Sequence, residues 1–326
     1  MTDRVRLTRW GFGAAELGNL YETVAPDAAR AAVDAAWEAG IRYFDTAPHY
    51  GIGLSERRLG DALTGRAREE YVLSTKVGRI LEPDPGYREG DLDPGGFVVP
   101  ATLRRRADLS PAGIERSLTD SLERLGLDAV DVAYLHDPEE TARTTEEMLG
   151  ALETLVTLRD SGVVRAVGAG SKDPEILRAA VTRSDLDLVM LAGRHTLLEQ
   201  SADPLLGTCL EHGVGVVAVG VFNSGILADP APGAGARYEY AAAPPDVLDR
   251  AQRLAAVCRR HGLSLPHVAV HFPLRHPAVV DVTIGMRSAA EVRDLARWAA
   301  EPVPEAVWAD LAAEGLLGAA DPAVAP

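Results

Sequence analysis

Four side chains of complementary acidity recur at similar places in a repeating pattern: Asp45, Tyr50, Lys76 and His136. Around the first two the chain reads Gly40-Ile-Arg-Tyr-Phe-Asp-Thr-Ala-Pro-His-Tyr-Gly51, a β-prone apolar run that ends at Asp45, followed by a turn that presents His49 and Tyr50. Lys76 stands near the end of a second such run, Tyr71 to Val77, and His136 directly follows a third, Val130 to Leu135. A phenol ionises near pH ~10, an adjacent ammonium favours the phenolate and burial opposes it, each tenfold change in the ionisation constant being worth about 1.4 kcal/mol. Lys76 beside Tyr50 would therefore make the phenol a general acid or base. Asp45 would keep Lys76 charged and oriented, and His136 would hydrogen-bond the reacting oxygen.

For these groups to share a pocket, their strands must be neighbours with the same end facing one way. Eight β-prone runs are legible: Arg9–Phe12, Ile41–Asp45, Tyr71–Val77, Val130–Leu135, Val164–Val167, Leu186–Leu191, Gly215–Gly220 and Val279–Ile284. Helical spacing separates each from the next, as in Ile114, Leu118, Leu122 and Leu125. The helix from Pro26 has Gly40 just past its end, and Ser55, Ser110 and Ser288 are expected to begin or cap helices, with Glu56 at the positive end of its helix dipole. The alternation predicts an α/β fold, a single (β/α)8 TIM barrel formed as one domain over residues 1–326. An extra helix from Pro304 to about Leu316 is expected to cover part of it. In such a barrel the loops after the strands converge on one face. Two of these loops are long, from Gly78 to Ala107 and from Phe222 to Ala243. The first is expected to offer Asp91, Asp93 and the Arg104–Arg106 run to a substrate.

The chain has 326 residues, 47% of them apolar, and a formal charge of −15. That charge repels polyphosphate backbones and anionic bilayers, so neither nucleic acid nor membrane is an expected partner. A small molecule is, with the protein a monomer or a homo-oligomer. The N-terminal Met-Thr-Asp-Arg-Val-Arg lacks the apolar centre of a signal peptide and no run approaches the ~20 residues of a membrane span, so a cytoplasmic location is expected. Cys209 and Cys258 read as isolated buried thiols. His267 and His271 have a spacing that can bind zinc, yet no carboxylate partner accompanies them, and no metal is expected.

The segments Asp45-Thr-Ala-x-x-Tyr50-Gly51, Ser74-Thr-Lys-Val-Gly78 and Leu135-His-Asp-Pro138 resemble the motifs of the aldo-keto reductase superfamily, and the similarity covers nearly the whole chain. The resemblance implies a nicotinamide cofactor without a metal, with Tyr50 as proton donor or acceptor, Lys76 and Asp45 as its electrostatic support and His136 as the orienting residue. Where many relatives have Ser-Asn after strand five this chain has Gly170-Ser171, and a Gln near strand six is replaced by Ala192. Ser171, Lys172 and Arg194 are then the candidates to hold the nicotinamide carboxamide. Further cofactor contacts are expected at Gly13, Asp45, Gly220, Gly285, Arg287 and Glu291, and substrate contacts at His49, Tyr50 and His136. Superfamily members that bind NADP place basic residues after strand eight. Here Gly285 and Glu291 stand at those positions, which favours NAD, with NADP possible.

The segments Ala192-Gly-Arg-His-Thr-Leu-Leu198 and Val167-Gly-Ala-Gly-Ser-Lys-Asp173 are similar to the branch containing aldose 1-dehydrogenases of the L-fucose, D-threo-aldose and L-galactose type, with pyridoxal 4-dehydrogenase a near relative. The resemblance implies NAD(P)-dependent oxidation of an aldose such as L-fucose, L-galactose or D-arabinose at C1 to the lactone. The alternatives are a pyridoxal 4-dehydrogenase or general aldehyde/ketone reductase, and, from another class, a cofactor-bound regulatory subunit without turnover.

Overall fold

The computed structural model describes residues 4–239 and 241–318. Met1–Asp3, read above for targeting, and Ala319–Pro326, the end of the expected 1–326 domain, lie outside the described residues, as does Tyr240 in the second long loop.

Eight parallel strands close into a barrel: β1 Trp10–Gly13, β2 Tyr43–Asp45, β3 Val72–Val77, β4 Val132–His136, β5 Ala166–Ser171, β6 Leu188–Ala192, β7 Gly215–Val219 and β8 Val279–Gly285. β8 pairs with both β7 and β1, which completes the ring. The fold is a (β/α)8 TIM barrel. Its strands begin and end within a few residues of the expected positions, the largest shift being at β5, which runs on to Ser171 rather than stopping at Val167.

Alternation along each strand decides what faces the axis. Phe44, Leu73 and Ala133 join the apolar core shared with the outer helices, whereas Tyr43, Val72, Val132 and Tyr134 join a separate cluster that fills the barrel. Two residues beyond Tyr43 and Tyr134, and four beyond Val72, the same parity turns Asp45, His136 and Lys76 inward at the C-terminal mouth. Pairing steps them along the mouth: Asp45 lies opposite Ser74, two residues before Lys76, Lys76 opposite Tyr134, two before His136, and His136 opposite Gly170. On the other strands the mouth position is held by Gly13, Gly170, Ala192, Val219 and Gly285. Three of the eight strands thus bring reactive groups to the mouth, and most of the other five bring almost no side chain. The layer beneath is crowded by tyrosines. A Cβ at Gly168 would lie 2.8 Å from the Tyr134 ring, so glycine there makes room for that ring.

The helix Leu54–Leu63 begins differently from the expectation. Its N-cap is Gly53 in the left-handed region, φ 84°, and Ser55 lies inside the first turn. The Ser55 hydroxyl donates instead to the Ala14 carbonyl at 2.6 Å and bonds the Thr46 hydroxyl at 2.8 Å, tying the helix to the ends of β1 and β2. Ser110 does cap Pro111–Leu125, accepting from the Gly113 amide, and Ser288 caps Ala289–Ala300, accepting from the Glu291 amide. The loop after β3 contains two strands absent from the sequence reading, Arg79–Pro83 paired antiparallel with Leu103–Ala107. The last helix, Glu305–Ala313, sets Val307, Trp308 and Leu311 against the helix Pro245–Arg260 and the loops after β6 and β7, in a second apolar cluster.

Glu56, expected at the positive end of the helix dipole, lies in the first turn and is fully buried. Thr75 of β3 donates to it at 2.9 Å and Arg124 of the helix Pro111–Leu125 at 2.5 Å, so one carboxylate joins three elements around the site. Burial pushes its pKa up, against the pull of Arg124. Removing one partner of a buried pair strands the other charge, at a cost of about 3–5 kcal/mol. Arg124→Met should therefore lower unfolding stability by about that amount, and Glu56→Gln added to it should restore a large part. Chemical denaturation of the single and double variants checks this.

Candidate active site

Tyr50 is placed by backbone contact rather than by its own strand. The turn after β2 closes with the Tyr50 amide donating to the Ala47 carbonyl at 3.1 Å. The next residue, Gly51, has φ 59°, and a Cβ on it would lie 2.3 Å from the Gly18 carbonyl oxygen. Only glycine lets the segment after β1 and the Tyr50 turn touch main chain to main chain, which fixes the height of the phenol above the barrel.

Lys76 reaches it from below. Its ammonium donates to Asp45 Oδ2 at 2.6 Å, to the Thr46 carbonyl at 3.1 Å and to Tyr50 Oη at 3.0 Å. An ammonium has three donors, and here each has an acceptor. Because Tyr50 Oη accepts from Lys76, its own hydrogen must point elsewhere, and the cleft that Tyr50 lines is on that side. Asp45 is held in turn: Ser74 donates to its Oδ1 at 2.7 Å, and the Tyr43 hydroxyl bridges Ser74 at 3.0 Å and the Tyr134 hydroxyl at 3.2 Å.

Burial opposes the charge on Lys76, but Asp45 and Tyr50 outweigh it and its pKa is raised. Burial also dominates at Tyr50, pushing its pKa up to about 12 against the lowering effect of Lys76. The phenol is thus protonated at neutral pH, and the competition between ammonium and desolvation is decided for desolvation. Burial, then Lys76 and Arg79, push the His136 pKa well below its ordinary value, so its imidazole is neutral. Its Nδ1 is buried with no hydrogen-bond partner among the described residues, and its Nε2 lies 3.3 Å from Asp137 Oδ2. His49 is also neutral, its pKa lowered to about 3 by burial and by Arg105, Arg79 and Lys76. The His49 and Tyr50 rings stand 5.6 and 6.0 Å from that of His136.

These groups line a cleft of about 490 Å³, which joins a second of about 900 Å³ through Glu16, Leu20, Gly220, Thr283 and Gly285. The arm after β3 roofs the first cleft with Gly95 and Phe97, whose ring packs against His49 at 5.5 Å and Tyr50 at 6.1 Å. The charges of this arm do not face the cleft as expected. Asp93 pairs with Arg105, Glu82 with Arg104 and Arg106, and Asp91 accepts from the Arg88 amide, so they satisfy one another.

The expected substrate residues His49, Tyr50 and His136 share the first cleft, with Asp45 beside them. Of the expected cofactor residues, Gly13 and Lys172 line the first cleft, Gly220 and Gly285 both, and Arg287 and Glu291 the second. Ser171 and Arg194 line neither. The Ser171 hydroxyl accepts from the Asp173 amide at 2.8 Å, and the Arg194 guanidinium donates to Glu239 at 2.6 Å. His267 and His271 contact the main-chain carbonyls of Glu301 and Trp298, which joins their helix to Ala289–Ala300. Three residues at the site went unassigned in the sequence. Asp137 and Ser74 stand inside the quoted motifs, so their motif membership was a usable signal. Glu16, on the wall common to both clefts, has no such signal.

The Aldo/keto reductase family profile matches residues 9–314. D-threo-aldose 1-dehydrogenase from a Pseudomonas species is 47% identical, over 94% of this chain and 94% of its own. Pyridoxal 4-dehydrogenase from Microbacterium luteolum is 37% identical over 95% of each. An aldo-keto reductase from Bacillus halodurans, solved in a holo form, superposes with a TM-score of 0.75 at 27% identity, covering 97% of this chain and 94% of that one. With the motifs in place, the barrel closed and the profile spanning almost its full length, the chain belongs to the aldo/keto reductase family of NAD(P)-dependent oxidoreductases.

Proposed function

We propose that this enzyme oxidises an aldose at C1 to the lactone, using NAD, with Tyr50 as the group that exchanges the proton. The observation that carries the chemistry is the Lys76 ammonium shared between Asp45 and Tyr50 at the mouth of the barrel, next to a neutral His136. In oxidation Tyr50 Oη takes the proton of the C1 hydroxyl, and Lys76 stabilises the charge that the phenol carries beforehand. His136 meets the same oxygen through the cleft. The reverse reduction uses the protonated phenol as donor. A nicotinamide dinucleotide held across the two joined clefts would supply the hydride acceptor or donor. The similarity to D-threo-aldose 1-dehydrogenase supports a sugar substrate, and the similarity to pyridoxal 4-dehydrogenase makes pyridoxal the competing substrate.

The paired clefts suit a dinucleotide. They meet at Gly220 and Gly285, which carry no side-chain bulk, and at Glu16, whose Oε2 is buried without a partner among the described residues. A lone acceptor there fits ribose hydroxyls, which donate. At the far end of the second cleft Arg287 is paired with Glu22, its amide donates to Glu291 at 2.8 Å, and Asp294 also lines the wall. Of the charged residues lining this cleft, Arg237 and Arg287 are outnumbered by Glu16, Glu291 and Asp294, which supports NAD over a cofactor carrying a 2′-phosphate.

Tyr50→Phe keeps the ring and removes the exchanging proton, so turnover should fall by at least ~100-fold. NADH binding, followed by fluorescence, should persist. NADH formation across L-fucose, L-galactose, D-arabinose and pyridoxal tests the substrate, and near-normal turnover by Tyr50→Phe would remove the mechanism.

Because the phenol is pushed up to about 12, the phenolate needed for oxidation becomes more abundant as pH rises. Oxidative kcat/KM should therefore climb between about pH 7 and about pH 10 while reductive kcat/KM stays level or falls. Profiles in both directions check this, and an acid limb set by His136 near neutrality would contradict it.

One lost charge-assisted hydrogen bond is worth about 1.5–3 kcal/mol, so NAD should be preferred over NADP by roughly ten- to a hundredfold. Glu291→Arg should narrow or reverse the ratio of the two dissociation constants. An unchanged ratio would take Glu291 out of cofactor selection.

A further inference from the structure

Asp137 follows β4 in a conformation that an aspartate enters at a cost. Its φ of 43° and ψ of 65° lie in the left-handed region, and the next residue, Pro138, disfavours helical conformations before it. Such a backbone persists where the surroundings hold it and occurs often at ligand sites. Asp137 is also the N-cap of the short helix Pro138–Thr141, a place where an aspartate side chain normally accepts from helix amides. This one makes no such bond. Its carboxylate is turned to the first cleft instead, where Oδ2 accepts from Arg79 at 2.9 Å. Its Oδ1 has no hydrogen-bond partner among the described residues.

The same arginine fixes His49. Arg79 Nη1 lies 3.4 Å from His49 Nδ1, and a guanidinium has no acceptor, so Nδ1 must accept. In a neutral imidazole the proton then sits on Nε2. His49 and Asp137 both line the cleft beside His136, so the cleft has a donor from His49 and an acceptor from Asp137. A hydroxyl is both donor and acceptor. The one nearest the reacting oxygen in an aldose is on the carbon next to C1.

We infer that Asp137 and His49 form a subsite for the hydroxyl on the carbon adjacent to the reacting carbon, set by Arg79, so that the enzyme selects α-hydroxy carbonyl compounds and their hemiacetals over unsubstituted aldehydes. This rests on the aldose assignment above. Asp137 accepts the hydroxyl hydrogen, and the Nε2–H of His49 donates to its oxygen. Arg79 acts as a positioning residue, holding the carboxylate and the tautomer without meeting the substrate.

The test compares kcat/KM within two pairs that differ by that hydroxyl: an aldose against its 2-deoxy analogue in oxidation, and glycolaldehyde against acetaldehyde in reduction. The wild-type enzyme should favour the hydroxylated member by roughly ten- to a hundredfold. Asp137→Asn, which suits the left-handed backbone, and separately His49→Phe should each shrink that ratio at least about fivefold. His49→Gln, which restores an N–H, should recover part of it. Equal losses on both members of a pair, or an unchanged ratio in both variants, would overturn the subsite. Aldose turnover with such a result leaves the aldose assignment intact. Conversely, a glycolaldehyde preference that collapses in the variants, without turnover of any aldose, supports the subsite and removes the aldose assignment.

Discussion

The pairing of Lys76 with Asp45 is the constraint to which the rest of the site conforms. Both side chains are almost wholly removed from solvent, at 3% and 4% exposure. Burying two charges costs several kcal/mol per ion, and mutual attraction offsets this only if the remaining donors and acceptors are also satisfied. Here Thr46 and Tyr50 complete the ammonium and Ser74 supports the carboxylate. The demand reaches far into the barrel. Ser74 must be where Tyr43 can bond it, Tyr43 must reach Tyr134, and β5 must give up a side chain at Gly168 for the Tyr134 ring. The hydroxyls inside an otherwise apolar barrel are the foundation of an ion pair at its mouth.

Much of this was legible because it is periodic. Alternation within β2, β3 and β4 is enough to turn Asp45, Lys76 and His136 the same way, and parallel register then gathers them at one end of the barrel, each stepped by two residues from the next. Ser110 and Ser288 were legible as caps because the signal is local. The misses are nonlocal. Ser55 looks like a cap, but the chain turns at Gly53 and gives its hydroxyl to Ala14 in another segment. The strands Arg79–Pro83 and Leu103–Ala107 are short and charged, and they exist because each supplies the other with backbone partners and with pairs such as Glu82 and Arg104. Arg194 has a plausible position in sequence, yet Glu239 from a distant loop claims it. Asp137 lies in a recognisable motif, but nothing in its composition reveals a left-handed backbone.

The two sides of the mouth differ in bulk for a physical reason. β2, β3 and β4 hold ionisable groups that need fixed neighbours, whereas the mouth positions of β1, β5, β6 and β8 are Gly13, Gly170, Ala192 and Gly285. A side chain at Gly285 would run into the Glu16 carboxylate, its Cβ 2.4 Å from Oε1. The floor of the joined clefts is therefore main chain, which cannot swing away as a side chain can, and the depth at which a ligand rests against the tetrad is set by the barrel itself.

The arm between β3 and the helix Pro111–Leu125 has a different standing. Apart from Arg79, which pairs with Asp137 and Glu140, its paired charges meet within it, Asp93 with Arg105 and Glu82 with Arg104 and Arg106. Beyond its two ends it meets the reactive centre chiefly through Phe97 against His49 and Tyr50, and through Arg105 on the His49 carbonyl. The roof of the cleft and the ion pair beneath it are thus held by separate parts of the chain, the one by an insertion and the other by the strands.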